Sequence, residues 1–195
     1  MTATTAVADN LIYEEGTGYL EVFPLLVEEH YLLCLLTDVF AFWQQIQFGI
    51  LIQGSVIEFT PPNAPSLIKL KDGYLTISFG LSSHFHLCIG KNIGTKRFPT
   101  SESLQKTRRV ARAELYRILN PAMEPTSWGL RFFNGKNEQM LTIFLPNPLL
   151  SDCHKIAKQP DYTKLELWLL LRLRYLNLSE PDPRDYLAKR FIHCC

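Results

Sequence analysis

The sequence predicts an α+β fold in which an antiparallel sheet, built on two β-hairpins, is flanked by helices. Two dipeptides carry this prediction. Asp72-Gly73 and Asn134-Gly135 each stand between strand-like runs, and both dipeptides tolerate the positive φ angles of tight hairpin turns. With 195 residues, 47% of them hydrophobic and 20% charged, the chain has enough apolar material for a core of its own.

One globular domain is expected over residues 1–195, because this length suits a single core. Residues 1–17 are predicted to be a loose, polar start. A broad apolar stripe at helical spacing predicts a helix from Tyr19 to Gln45. Phe48 to Phe59 is apolar and rich in strand-forming residues, so we expect a strand there.

The first hairpin is predicted over Leu67 to Phe79, and a strand at Ser83 to Ile89 is expected to join it. Its turn at Asp72-Gly73 gives the sheet one apolar and one polar face. The predicted cross-strand neighbours are Leu70 with Leu75 and Ile68 with Ile77.

The second half of the chain is predicted to alternate helix, hairpin and helix. A helix over Ser101 to Leu119 follows from a favourable N-cap and helix-forming residues. The second hairpin, Thr126 to Leu145, places Arg131 opposite Glu138. Residues 162–195 are predicted to form a C-terminal helical extension.

His84, His86 and Cys88 are the strongest candidates for a chemical site. They alternate along a predicted strand, so they share one face. Neutral histidine and cysteine thiolate bind zinc, iron or haem iron. Residues two apart lie about 6.7 Å apart and residues four apart about 13 Å, so the three cannot all reach one ion. Further ligands are available in the sequence at Cys153, His154, His193, Cys194 and Cys195.

The leading prediction is a small soluble binding or accessory protein whose ligand contact is the strand with His84, His86 and Cys88. Two other functions are alternatives to it. Cys88 with His86 as its base would give a thiol-dependent enzyme, although no oxyanion hole or third residue is recognisable. Arg108, Arg109 and Arg112 would give the predicted helix a basic face for an anionic partner.

A glycine-containing loop, Gly90 to Lys96, lies between a strand and a helix, where phosphates are often held. It does not match the phosphate-loop pattern G-x-x-x-x-G-K-[ST]. The predicted function therefore does not depend on it.

Composition narrows the partners and the location. A net charge of +1 gives no global reason to expect a nucleic-acid partner. The sequence shows neither a membrane span nor a signal segment, so a cytoplasmic location is expected. Five cysteines without C-x-x-C spacing favour reduced thiols. A homo-oligomer is compatible with all of these observations.

Five segments of the chain form a combined pattern: HFHLCIG at 84–90, RRVARAEL at 108–115, SWGLR at 127–131, NG with EQM at 134–140, and FLPNP at 144–148. This pattern resembles an uncharacterised family of bacterial proteins, a domain of unknown function, over roughly residues 72–150. The resemblance implies no activity, cofactor or site residue. Small haem-handling proteins of the haem-utilisation group also combine antiparallel sheets with histidine ligands, which is an analogy of fold alone.

Overall fold

The computed structural model describes residues 10–52, 54–81 and 83–191. In these residues the chain has the predicted α+β fold, with two antiparallel sheets and three α-helices. The helices are α1 (Glu29–Ala41), α2 (Glu102–Arg108) and α3 (Glu166–Leu176), and 3-10 turns lie at Trp43–Gln45, Tyr162–Leu165 and Pro183–Tyr186. The strands are β1 (Leu11–Glu14), β2 (Gly18–Leu25), β3 (Gln47–Ile52), β4 (Ser55–Phe59), β5 (Leu67–Lys71), β6 (Tyr74–Ser78), β7 (His84–Cys88), β8 (Val110–Leu119), β9 (Pro125–Asn134) and β10 (Gln139–Phe144). None of the described helices is long and apolar enough to span a membrane.

Seven strands form the large sheet, in the order β1-β2-β8-β9-β10-β3-β4. Its centre is the pair β8 and β9, each ten residues long. The remaining three strands form the small sheet, in the order β5-β6-β7. Every pairing in both sheets is antiparallel.

The predicted helix over residues 19–45 is wrong in its first third. Residues 18–25 form β2, which pairs along its length with β8, and the helix begins only at Glu29. Pro24 is tolerated in this strand because β1 pairs only with residues 18–21, so Pro24 faces no partner on that side. The loose start is also corrected, since Leu11–Glu14 form β1.

The predicted helix over residues 101–119 is wrong beyond its second turn. The helix α2 ends at Arg108, and residues 110–119 form the central strand β8 between β2 and β9. Alanine, arginine, glutamate and leucine favour a helix locally, but pairing with two neighbouring strands overrides that preference. The predicted single strand over Phe48 to Phe59 is likewise a hairpin, β3 and β4, turning at Gly54.

Both predicted hairpin tips are confirmed. Asp72 and Gly73 have φ angles of 48° and 75°, and Leu70 faces Leu75 as predicted. At the second tip the positive φ belongs to Asn137, not to the Asn-Gly pair. This longer turn shifts the register, so Arg131 lies opposite Thr142 on β10 and opposite Glu114 on β8, and the predicted Arg131–Glu138 pair is wrong.

The core lies between the sheets and the helices. The small sheet turns Leu75, Ile77 and Leu87 towards α1, and the rings of Phe40 and Phe85 meet with centroids 5.5 Å apart. The helix α3 also belongs to the core, since Leu167, Trp168 and Leu171 are fully buried. The C-terminal helical segment is therefore packed into the fold.

Candidate functional site on the outer face of the small sheet

The small sheet has one buried and one outward surface, as its alternating sequence requires. The register defines three cross-strand rows on the outward surface, which we call the outer face. These rows are Leu67–Ser78–His84, Lys69–Thr76–His86 and Lys71–Tyr74–Cys88. The sheet thus places two predicted site histidines along one edge and two lysines along the other.

The two histidines are exposed and adjacent. Their ring centroids lie 5.0 Å apart, with the rings at 67° to each other. A hydrogen bond of 2.7 Å joins the Thr76 hydroxyl to Nδ1 of His86. When the imidazole proton is on Nδ1, that nitrogen donates to Thr76 and Nε2 keeps the lone pair that binds a metal. Thr76 therefore fixes the orientation of the His86 ring.

Cys88 differs from the two histidines although it shares their strand. Its side chain is buried, and the thiol donates to the Gly90 carbonyl at 3.6 Å. Burial raises the pKa of the Cys88 thiol, and the nearby Arg108 and Arg109 guanidiniums offset this only in part. A buried thiol with a raised pKa is a poor nucleophile and a poor ligand at neutral pH.

The ligands available on the outer face are too few for a closed zinc site. Among the described residues, no group of three or more His, Cys, Asp or Glu side chains is placed to hold a metal ion. Protein zinc sites use three or four such ligands. Haem iron needs only one or two, because the porphyrin supplies four nitrogens. The tail His193-Cys194-Cys195 lies outside the described residues.

The predicted arginine group is divided by the corrected secondary structure. Arg108 ends α2 and donates to Asn92, and Arg109 follows it as an exposed residue. Arg112 lies in β8, where it pairs with Glu114 and stacks 3.4 Å from the Phe133 ring centroid. The three arginines therefore do not form one helical face.

The glycine-containing loop binds an anion from within the chain. The Asp72 carboxylate accepts the backbone N–H groups of Ile93 and Gly94 at 2.8 and 3.0 Å, and the Asn92 amide at 2.7 Å. These are the donors that a phosphate would need. The loop therefore binds the first hairpin tip to the segment after β7 through hydrogen bonds to Asp72.

A large cleft lies elsewhere, at an end of the large sheet. It has a volume of about 850 Å³, and Gln44, Gln45, Asn147, Asp161 and Lys164 are among its polar lining residues. His154, one of the additional ligand candidates, also lines it. None of His84, His86 and Cys88 does.

A buried ionic cluster in the large sheet was not predicted. Arg117, with its side chain only 1% exposed, binds Glu21, Asp182 and Asp185 at 2.5–2.6 Å. The indoles of Trp128 and Trp168 donate to the two oxygens of Asp185 at 3.0 and 2.9 Å. The partners are up to 96 positions apart in the sequence, so no local spacing could have indicated them.

The cluster sets the ionisation of its members. Burial favours the neutral form of Asp182, but hydrogen bonds from Arg184 and Arg117 outweigh burial and lower its pKa well below the ordinary range. Burial likewise opposes the charge of Arg117, and the carboxylates around it, Asp185 first, more than offset that effect and raise its pKa. These groups stay charged and paired with one another, so we assign the cluster a role in stabilising the fold.

Comparison with known proteins places the chain in a family and gives remote structural likenesses. Residues 9–177 match DUF7676, a family of unknown function, and this match extends the resemblance seen from the sequence to both sides. No curated protein matches the chain.

Three solved structures illustrate the structural likenesses. A crystal structure of ChuX has 14% identity and a TM-score of 0.49, covering 78% of this chain and 74% of that one. A structure of the heme binding protein ChuX has 16% identity and a TM-score of 0.46, with the same two coverages. AGR_C_4470 from Agrobacterium tumefaciens has 12% identity and a TM-score of 0.48, covering 82% and 72%. At these values none of the likenesses carries an argument about function, which has to come from the geometry of this chain.

Proposed function

We propose that this chain, which belongs to the DUF7676 family, is a haem-binding accessory protein that carries one haem on the outer face. His86 is the axial ligand in this proposal. One observation carries it: an exposed histidine pair, with Nδ1 of His86 held by Thr76, in a site to which the described residues add no third ligand. This combination suits haem better than a bare metal ion, because haem arrives with four of its nitrogen ligands.

The layout of the outer face supports a porphyrin lying flat upon it. Strand side chains stand roughly perpendicular to their sheet, so a ring bound at Nε2 of His86 would lie parallel to the strands. Two strand spacings, about 10 Å, separate β7 from β5. Lys69 and Lys71 on β5 are exposed and would pair with the propionates, while half-exposed Leu67 offers apolar contact.

Only one of the two histidines would bind the haem iron, and this indicates what kind of haem protein the chain would be. His84 and His86 rise from the same side of one sheet, so they cannot occupy opposite faces of one haem. His86 alone would therefore hold the iron, and His84 would lie beside the haem without binding the iron. A shallow site with one protein ligand suits a protein that receives haem and passes it on.

Titration of the purified chain with hemin, followed by absorption, tests the proposal. His86→Ala should abolish stoichiometric binding, while His84→Ala should weaken it. His154→Ala is the matched control, because His154 is also exposed but lies at the large cleft, and this variant should bind like the parent. Each change removes an exposed side chain and should alter stability by only about 0.5 kcal/mol. Unchanged binding by His86→Ala would remove the outer face from consideration.

Thr76→Val tests the orientation of His86 separately from its presence. Valine keeps the branched shape that suits a strand but removes the hydroxyl that holds Nδ1. Loss of a group that orients a metal ligand typically costs about 10- to 100-fold in affinity, and we expect a fall in hemin affinity in that range. Ser78→Ala, which removes a hydroxyl from the neighbouring row, should have little effect. Equal affinities for Thr76→Val and the parent would show that the hydrogen bond does not matter for binding.

A further inference from the structure

The charges of this nearly neutral chain are strongly segregated. Residues 67–109 contain eight lysines and arginines but only two carboxylates, a net charge of +6, whereas the whole chain carries +1. The rest of the molecule therefore carries −5. All eight cationic residues of this segment are exposed.

The fold brings these cations to one end of the molecule. The tip of the β5–β6 hairpin contacts the segment after β7, because the Gly73 carbonyl accepts both Ile89 N–H and Gly90 N–H at 2.9 Å. The end of α2 joins them, since Arg108 and Asp72 both bind Asn92. We call the resulting surface the basic face. It consists of Lys91, Lys96, Arg97, Lys106, Arg108 and Arg109, and it continues through Lys69 and Lys71 onto the outer face.

Asp72 is one of the two carboxylates already counted in the net charge of +6, and among the described residues it forms no ion pair with the cations of the basic face. Asp72 directs its carboxylate into the loop, where Asn92, Ile93 and Gly94 hold it. The exposed cations keep their attraction for an external anion.

Apolar residues stand among the cations. Phe98 is 71% exposed and Ile93 is 58% exposed, and the Arg97 guanidinium lies 5.4 Å from the Phe98 ring centroid. Double-stranded DNA is bound mainly through cations on its phosphate backbone, whereas membranes and single-stranded nucleic acids also use exposed apolar and aromatic side chains, so both DNA and vesicles are needed as rival probes. Exposed aromatic and arginine side chains together are typical of the energetic centre of a protein–protein interface.

We infer that the basic face is the docking surface for an acidic protein partner, which has an apolar recess for Phe98. Charge complementarity of this kind accelerates encounter and suits short-lived complexes. The basic face adjoins the outer face, so the partner would meet the haem edge as it docks. The partner's role as haem donor or acceptor rests on the proposed function, whereas docking itself does not.

The test uses the full chain without haem, so that a failure of haem binding and a failure of docking are told apart. The probe is a fluorescent acidic peptide in which pairs of glutamate alternate with leucine, and its anisotropy is followed at rising salt. We expect salt-sensitive binding that is lost when the glutamates of the peptide are replaced by glutamine. A double-stranded DNA and vesicles containing phosphatidylserine serve as rival probes.

Two matched triple variants carry the same change in charge. Lys96→Gln with Arg97→Gln and Arg109→Gln should weaken peptide binding about tenfold or more at low salt. Lys155→Gln with Lys158→Gln and Lys189→Gln removes exposed charges outside the basic face and should leave binding unchanged. Phe98→Ser should weaken peptide binding as well.

Three results would overturn the inference. These are equal losses in the two triple variants, an unchanged affinity in Phe98→Ser, and tighter binding of DNA or vesicles than of the peptide. Sedimentation of the free chain completes the test. A monomer at low salt supports an external partner, and a salt-sensitive dimer would show that the acidic remainder of a second copy occupies the basic face.

Discussion

The two sheets of this protein treat polar side chains in opposite ways. The large sheet contains buried, paired charges around Arg117 and Arg131, whereas the small sheet leaves His84, His86 and its lysines exposed. Buried charges that are paired hold elements together, and exposed side chains outside any ion pair are available to bind. In the function proposed here, the large sheet would supply the architecture and the small sheet the ligand contact.

The largest effect expected from this comparison is in the buried cluster. Arg117→Met would leave Glu21, Asp182 and Asp185 without their shared cation and should lower the free energy of unfolding by about 3–5 kcal/mol. Lys69→Met, the matched change on the outer face, should alter it by about 0.5 kcal/mol or less. Denaturant unfolding of both variants measures the difference. Similar small effects would mean that the buried cluster does not stabilise the large sheet.

Acid should affect the large sheet through Asp182. Its pKa is lowered in the folded chain, so its contribution to stability is full above the ordinary Asp pKa of about 3.9 and is lost as the pH falls towards the folded value. Asp182→Asn should cost about 2 kcal/mol at pH 7, as expected for lost hydrogen bonds to a charged group, and progressively less in acid. Unfolding curves from pH 7 to pH 3 measure this. A cost that does not change with pH would show that Asp182 acts through packing alone.

A smaller difference in stability is expected when the glycine at a hairpin tip of each sheet is replaced by alanine. Gly54 and Gly73 both have positive φ at hairpin tips, but a Cβ on Gly54 would meet nothing within 4 Å. A Cβ on Gly73 would lie 2.6 Å from the Lys91 carbonyl carbon. Gly54→Ala should therefore cost about 1 kcal/mol for its φ angle alone, and Gly73→Ala about 1 kcal/mol more. Equal costs, measured by thermal or denaturant unfolding, would show that the hairpin tip is not tightly held against the segment after β7.

Local signals in the sequence predicted the small sheet better than the large one. The turn at Asp72-Gly73, its register and the strand at 84–88 follow from dipeptide chemistry and alternation over a few residues. The strands β2 and β8 were mistaken for helices, because their side chains do not alternate between apolar and polar, and β8 is buried on both faces. Their conformation is set by pairing between segments nearly 100 residues apart, which no local pattern reports.

The same distinction applies to the candidate site. The alternation of His84 and His86 was visible in the sequence, and so was the presence of Cys88 on their strand. The sequence could not indicate that Cys88 is buried or that Thr76 holds His86, because both depend on neighbouring segments. The sequence indicated part of the basic face, Arg108 and Arg109, but grouped them with Arg112 on one helix. The fold places Arg112 on β8 and adds the hairpin tip that contacts the segment after β7.

Because two indoles bind Asp185, the intrinsic tryptophan signals of the protein depend on the position of this residue. Of its three tryptophans, Trp128 and Trp168 share this one carboxylate, although Asp185 lies beyond the part of the chain that matches the family. If the segment around Asp185 detached from the large sheet, both indoles would lose their hydrogen-bond acceptor and become exposed to water together. The wavelength of tryptophan fluorescence emission and the near-ultraviolet circular dichroism would therefore report whether the C-terminal segment is attached, without an added label.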